Sequence, residues 1–301
     1  MPGYHLPYVA AADNGIFERH GLEVEIIDPE PGPDNIRAVA AGRYDACLTS
    51  VAHFLTAKKE NPDLPARFVF MVTRLPHMAL FTVAGREARN GRAVVSFEDL
   101  EGATFIGPAG SGFEREYQVL MRHLSLVPGP VVDMSYGRAL KGLMAGDGDV
   151  TADHLDLLPR FVSAARRAGV QVHPLPFYEA GLDHYGSGLV VGTRLIEERA
   201  HAVQTLRDAT RETLIATRRD PLAGLAALQK RLPGVDAERA LQGWTAGEPL
   251  IFVDGSDDHV GDMDAATWER TLAWHAAVDD TRAVSPENVY ELSFAAADPA
   301  A

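Results

Sequence analysis

The stretch LPYVAAADNGIFERHGLEVEIID, residues Leu6 to Asp28, decides the fold. Four apolar residues in its first half recur at near-helical spacing, namely Tyr8, Val9, Ala12 and Ile16. This spacing predicts a helix with one face against a core, ended by Gly21 as a left-handed C-cap. Glu23 to Ile26 then alternates with period two, which is typical of a half-buried strand. A helix followed at once by a strand predicts a βαβ half-unit that lacks its first strand.

Composition limits the classes of function. The chain has 301 residues, of which 46% are hydrophobic, so it can bury a large core in one or two domains. Its net charge of −14 argues against a nucleic-acid or anionic-membrane partner. No apolar run approaches the roughly 20 residues that span a bilayer, so no membrane insertion is predicted. A single cysteine, Cys47, excludes an internal disulfide.

Strands and helices alternate along most of the chain, with one early interruption. Arg67–Thr73 and His77–Ala84 both have strand character and follow each other without a helix between them. We place the first crossing to a second lobe there, near Gly85, and the return crossing at Tyr178–Tyr185. The predicted division is residues 1–84 and 179–301 for lobe one and 85–178 for lobe two. Two such α/β lobes leave a cleft at their carboxyl strand ends, which predicts a ligand site.

Four junctions between loops and helices are candidate parts of that site, because helix N-termini present free amides to anions. They are Gly3-Tyr4-His5, Thr49-Ser50 with His53, Gly110-Ser111-Gly112-Phe113, and Asp153-His154. The third is also a capping box, in which Ser111 accepts from the N3 amide and Glu114 reaches back. Ser111 is therefore either a plain cap or a ligand contact, or both.

Side chains at these junctions suggest what the ligand is. Tyr4, His5 and Tyr185 can stack on a planar ligand and hydrogen-bond to an anionic one, the alternative being that some are surface aromatics. Asp153 is expected to be a helix cap, although as a free carboxylate it would prefer an amine or amidine. The eleven histidines include no pair at ligand spacing, and the sequence has no GxxxxGK(S/T) loop and no GxGxxG after a strand, so neither a metal nor a cofactor is predicted.

AADNGIFERHGLEVEI, residues 11–26, resembles the opening of type II periplasmic solute-binding proteins of the sulfonate/taurine and NMT1/THI5-like group. Further matches follow in the same order at Gly42–Ala46, Phe105–Ser111 and Ser285–Tyr290, so that the resemblance spans Tyr4 to Phe294. It implies a two-lobed α/β fold, each lobe a mostly parallel sheet flanked by helices. It also implies a monomer that captures a sulfonate, taurine or thiamine-pyrimidine precursor for an ABC permease and ATPase.

Two alternatives stay open beside the importer. The first is a leaderless cytosolic enzyme of the same fold, a desulfinase-like lyase or a pyrimidine-precursor synthase that acts through His5 or His53. The resemblance weakens it, because desulfinases use a first-loop cysteine and yeast-type pyrimidine synthases a cysteine-rich sequence, whereas Cys47 lies within an apolar strand. The second is a sensory ligand-binding module, which needs a signalling domain.

The N-terminus bears on the compartment. The resemblance implies a leader and a first strand ahead of Tyr4, where this sequence has only three residues. The protein is expected to be periplasmic or at the cell surface if a leader lies upstream of Met1, and cytoplasmic otherwise.

Overall fold

The computed structural model describes residues 2–27, 32–88, 91–279 and 284–294, and only the backbone of residues 2–4. Its helices in this part of the chain are α1 (Pro2–Asp13), α2 (Ile16–Arg19), α3 (Asp34–Ala40), α4 (Val51–Glu60), α5 (Gly112–His123), α6 (Tyr136–Ala145), α7 (Leu158–Ala168), α8 (Thr193–Glu198), α9 (Ala200–Arg219), α10 (Pro221–Arg231), α11 (Ala237–Ile251) and α12 (Ala265–Val278). Its strands are β1 (Ala46–Ser50), β2 (Ala66–Thr73), β3 (Met78–Val83), β4 (Phe105–Gly107), β5 (Val131–Asp133), β6 (Val150–His154), β7 (Val172–Pro176) and β8 (Ser187–Gly192). None of the described helices is both long enough and apolar enough to cross a bilayer.

The chain forms two compact units. The first comprises Met1–Leu75, Asp183–Ala273 and Arg282–Ala301, and the second comprises Pro76–Leu182 and Trp274–Thr281. These limits differ from the predicted ones: the first change of unit precedes β3 instead of falling near Gly85, and a C-terminal segment belongs to the second unit. The reason is pairing, since β3 bonds to β6 and β7, while Trp274 packs in the core of the second unit.

The opening stretch forms two helices and an extended segment. α1 ends at Asp13, and Gly15 (φ +67°) separates it from α2, so Ile16 belongs to α2 and Ala12 is exposed. Gly21 has φ +73°, as the predicted C-cap requires. The predicted strand at Glu23–Ile26 is wrong. Burial alternates there as expected, but the segment has no strand pairing among the described residues.

The first unit contains a three-stranded sheet in the order β1-β8-β2. β8 lies in the centre and pairs antiparallel with both neighbours, which corrects the prediction of a mostly parallel sheet in each lobe. β8 belongs to the returning segment of the chain, and nothing in its apolar sequence indicated its direction. Its neighbours β1 and β2 therefore share a partner that lies more than a hundred residues further along the chain.

The second unit contains a five-stranded mixed sheet in the order β5-β4-β6-β3-β7. β5, β4 and β6 are parallel, as predicted for an α/β lobe, whereas β3 runs antiparallel to both β6 and β7. Its core includes Phe105, Tyr117 and Leu120, with the two rings stacked at a centroid distance of 4.9 Å. The carboxyl ends of β4, β5 and β6 consequently meet at one edge of this sheet.

α1 packs closely against α10 in the first unit. Leu6, Val9 and Ala10 form a buried cluster with Leu225 and Leu228. The approach of the two helices depends on Gly224, because a Cβ at that position would lie 2.1 Å from Cδ2 of Leu6. Leu6 is fully buried and has little room to turn away.

We expect Gly224→Ala to lower the free energy of unfolding of the first unit by about 1–3 kcal/mol, because the added methyl group overpacks this contact. Urea denaturation measures the change. Gly234→Ala is the matched control, since a Cβ there meets nothing within 4 Å, and we expect it to change stability by less than about 0.5 kcal/mol. Equal stability of the two variants would contradict the proposed overlap.

Candidate functional site

Four chain segments meet at the carboxyl edge of the parallel strands in the second unit. β4 leads through Pro108–Ser111 into α5, β5 leads through Ser135 into α6, and β6 ends at His154. The fourth is the start of β3, because Met78 pairs with His154 and the Leu155 amide donates to the His77 carbonyl oxygen at 2.8 Å. The antiparallel direction of β3 therefore brings its first residue to the edge where its neighbours end.

The loop before α5 is tightly hydrogen-bonded. Oγ of Ser111 accepts from the Glu114 amide at 3.2 Å, so Ser111 is the predicted N-cap. The Glu114 carboxylate accepts from the Gly110 amide at 2.6 Å, one residue ahead of the position that a capping box predicts. Asp133 at the end of β5 accepts from the Ala109 amide at 2.9 Å. The amides of Gly112 and Phe113, by contrast, have no acceptor within the described part of the chain and can bind an anionic group.

Four rings lie together beside this helix start, and we call His77, Phe113, Tyr136 and His154 the aromatic edge. Phe113 makes edge-to-face contacts with Tyr136 at a centroid distance of 5.2 Å and with His154 at 5.6 Å. His154 in turn makes an edge-to-face contact with His77 at 4.3 Å. Tyr136 is 48% exposed, so a ring of this group faces solvent. Such a surface is suited to stacking on a planar ligand.

Two aspartates adjoin the aromatic edge. Asp153 belongs to β6 and pairs with Ala79, and α7 begins only at Leu158, so its prediction as a helix cap is wrong. Its carboxylate accepts from the adjacent His154 amide at 2.9 Å, and burial raises its pKa. Asp156 is only 6% exposed, and its Oδ1 has no hydrogen-bond partner among the described residues. Burial raises the pKa of Asp156 to about 7.

The first unit presents hydroxyl groups at one end of its own sheet, and we call Ser50, Thr73 and Ser187 the hydroxyl edge. Ser187 lies opposite both other residues in the strand register. Its hydroxyl is 2.9 Å from that of Thr73, which also accepts from the Ser187 amide at 2.7 Å. Ser50 caps α4 by accepting from the His53 amide at 3.2 Å, and the His53 side chain is exposed in the first turn. Ser50 is thus the N-cap of α4, and its role as a ligand contact with His53 stays a prediction.

Tyr185 is not on a surface. Its side chain is 1% exposed and packs against Trp268 at a centroid distance of 5.1 Å. The hydroxyl donates to the Asp264 carboxylate at 3.1 Å and accepts from the Asp264 amide at 2.9 Å. A ring that is buried with both hydrogen bonds made has no surface for a ligand, so the structure assigns Tyr185 to the core of the first unit instead of the predicted ligand contact.

The structure also differs from the prediction at the first junction between a loop and a helix, Gly3-Tyr4-His5. Tyr4 and His5 lie inside α1, which begins at Pro2, so they do not precede a helix. His5 is exposed, whereas the side chain of Tyr4 lies outside the described residues. Their positions in α1 do not place Tyr4 or His5 at the hydroxyl edge.

Cys47 has the character of a core residue. It lies in the middle of β1, and burial raises the pKa of its thiol to about 12, so the thiol is protonated at neutral pH. Within the described ranges no three His, Cys, Asp or Glu side chains are grouped so that they could hold a metal ion.

Sequence reasoning missed Tyr136 and His77. Tyr136 could have been found, because it follows an apolar strand and begins a helix, the same context as Phe113. His77 could not, because its place at the edge depends on the antiparallel direction of β3, which the sequence does not specify.

Comparison with known proteins links the chain to one family. A family model described as NMT1/THI5 like matches residues 3–223. A Schizosaccharomyces pombe protein named 4-amino-5-hydroxymethyl-2-methylpyrimidine phosphate synthase is 31% identical over 99 residues, which are 33% of this chain and 26% of that protein. The matched segment therefore spans about a quarter of that relative's length.

Solved structures share the fold. The periplasmic aliphatic sulphonate binding protein SsuA from Escherichia coli aligns with a TM-score of 0.70 at 15% identity, over 94% of this chain and 87% of that one. A putative periplasmic sulfonate-binding protein SsuA from Methylobacillus flagellatus aligns with a TM-score of 0.68 at 13% identity, over 97% and 87%. At these identities the likeness concerns fold alone, and it confirms the predicted periplasmic-binding-protein fold.

The burial of Asp156 predicts that the stability of the protein depends on pH. The folded state holds the proton of the Asp156 carboxyl group more tightly than the unfolded state does. The stabilisation that this proton contributes to the folded state is therefore complete below pH 4 and is lost as pH rises towards about 7. We expect Asp156→Asn to be more stable than the wild type by about 1–3 kcal/mol at pH 8, and to lose this advantage near pH 4.

Chemical denaturation across this pH range measures the difference. The control is Asp147→Asn, which removes an exposed carboxylate from the same unit. A gain in stability for Asp156→Asn that is the same at pH 4 and pH 8 would contradict the burial argument.

Proposed function

The chain belongs to the NMT1/THI5-like family, and from this premise we propose that it binds a small planar or anionic organic solute as the solute-binding component of an ABC importer. The observation that carries the proposal is the aromatic edge beside the start of α5. The fold shared with sulfonate-binding proteins supports it. The proposed ligands are an aliphatic sulfonate or a thiamine-pyrimidine precursor.

The second unit offers two kinds of contact to such a solute. The exposed ring of Tyr136 and the adjacent Phe113 supply apolar faces for stacking. The amides of Gly112 and Phe113, at the positive end of α5, supply donors for a sulfonate, carboxylate or ring nitrogen. Gly112 leaves this approach open, because a Cβ there would meet nothing within 4 Å. In the first unit, Ser50 of the hydroxyl edge and His53 of α4 are separate candidate contacts for the solute.

The proposal includes partners and a compartment. An importer of this kind delivers its solute to a membrane permease driven by an ATPase, so the binding component works outside the cytoplasm as a monomer. The acidic surface of the chain, with a net charge of −14, fits a protein that handles small molecules and binds no nucleic acid.

Two substitutions at Tyr136 test ring stacking. We expect Tyr136→Ala to weaken solute binding by about tenfold, because the exposed ring is lost, and Tyr136→Phe to change it by less than about twofold. Isothermal titration with butanesulfonate and with 4-amino-2-methylpyrimidine measures both. The pair is matched, because each variant loses the hydroxyl and only one loses the ring.

Two results would contradict the proposal. One is that neither probe binds the wild-type protein. The other is that Tyr136→Ala binds them as tightly as Tyr136→Phe, which would show that the aromatic edge takes no part in recognition.

A second candidate function is that of a pyrimidine-forming enzyme, and the specific observation in its favour is the 31% identity to the fission-yeast synthase over 99 residues. The single cysteine weighs against a thiol mechanism, since its pKa of about 12 keeps it protonated. The exposed His53, in the first turn of α4, is then the candidate side chain for proton exchange with a bound molecule.

The two functions differ in what happens to the ligand. We expect native mass spectrometry of protein from its own cells to release a small molecule that is chemically unchanged after incubation. A product that forms with the wild type and fails to form with His53→Ala would overturn the importer proposal in favour of the enzyme. His259→Ala is the control, because His259 is an exposed histidine outside α4.

A further inference from the structure

The first unit contains a polar cavity of about 210 Å³. Four of its lining residues, Gln204, Arg207, Asp208 and Arg211, are spaced i, i+3, i+4 and i+7 and share one face of α9. The opposite side is formed by Phe70 of β2 and by Ser293 and Phe294 of the C-terminal segment. None of these residues belongs to the aromatic edge or the hydroxyl edge.

Arg207 is the central feature of this cavity. Its side chain is 3% exposed, which is unusual for arginine. One terminal nitrogen, Nη1, donates to Oε1 of Gln204 at 3.1 Å and to the carbonyl oxygen of Phe294. Nε, in contrast, donates to no acceptor among the described residues. A buried guanidinium with an unmatched N–H is costly, and its free side has the fork geometry that oxyanions fit.

The charges around the cavity permit an anion to bind. Arg211 adds a second guanidinium, which is 2.8 Å from the Asp262 carboxylate. Asp208 has the one carboxylate among the lining residues, and this carboxylate accepts from the side-chain amide of Gln204 at 2.8 Å. The two guanidinium groups of the lining are matched by the carboxylates of Asp208 and Asp262, so the charges around the cavity balance, in a chain whose total is −14. A small anion would therefore meet no excess of negative charge here, and it would find a donor that has no other acceptor among the described residues.

We propose that this cavity binds a small oxyanion such as phosphate, sulfate or a short carboxylate, held by the Nε side of Arg207 with Arg211 beside it. Its size agrees with such a ligand, because drug-sized sites occupy roughly 300–1,000 Å³. Arg207 also holds the Phe294 carbonyl oxygen, so a bound oxyanion stabilises the join between α9 and the C-terminal segment. The proposal does not depend on which solute binds at the aromatic edge or the hydroxyl edge.

Inorganic phosphate is the probe, added to the full-length protein at constant ionic strength and followed by isothermal titration and thermal unfolding. We expect phosphate to bind the wild type and raise its melting temperature. Arg207→Lys keeps the charge but loses the fork, so we expect at least about tenfold weaker binding. Asp208→Asn removes the one negative charge of the lining but keeps an acceptor for Gln204, so we expect binding about three- to tenfold tighter.

Asp208→Asn keeps the test valid if Arg207→Lys fails to fold, because Asp208 is less critical to packing. The changes at Arg207 and Asp208 also distinguish this cavity from the start of α5, because neither of them alters the amides of Gly112 and Phe113. The proposal is overturned if phosphate fails to bind the wild type, or if Asp208→Asn binds it no more tightly than the wild type.

Discussion

The antiparallel position of β3 between β6 and β7 is the constraint on which the second unit depends. Parallel strands alone would bring only carboxyl ends to the edge where α5 and α6 begin. Because β3 runs the other way, its amino end joins them, and His77 lies against His154 at a centroid distance of 4.3 Å. The same strand provides the register that holds Asp153 and His154 in β6. Both the core and the aromatic edge of this unit follow from that one reversal.

The same backbone arrangement, a strand followed by a serine N-cap, occurs in the described part of each unit, with different side chains around it. In both cases a strand is followed by a serine N-cap, Ser50 or Ser111, in an extended conformation that accepts from an amide three residues on at 3.2 Å. The positive end of a helix dipole is therefore common to both, although in α4 the Val51 amide donates to the Gly186 carbonyl oxygen at 2.9 Å. In the first unit its neighbours are hydroxyl groups, and in the second they are rings. Chemical character is thus set by the side chains around each cap, which in the second unit come from the starts of α5 and α6 as well as from the strand ends.

Local features of the site were predictable, and those that depend on strand pairing were not. The cap at Ser111 and the C-cap at Gly21 follow from short-range hydrogen bonds and φ preferences, and both are found. Glu23–Ile26 shows the limit: alternation correctly predicts which side chains are half-buried, but a strand also needs a neighbour. Asp153 and Tyr185 were misjudged for a similar reason. Whether a polar side chain after a strand caps a helix, extends the strand or enters the core depends on tertiary contacts.

The central place of β8 in the first unit has a consequence for biosynthesis. A ribosome delivers the chain from its N-terminus, so β1 and β2 leave it more than a hundred residues before the strand that pairs with both of them. The second unit meets a comparable delay, because its core takes in Trp274 and Val278. Neither unit is complete until the last helix has emerged. The nascent chain therefore spends most of its synthesis with unpaired strand edges, the condition under which cellular chaperones bind.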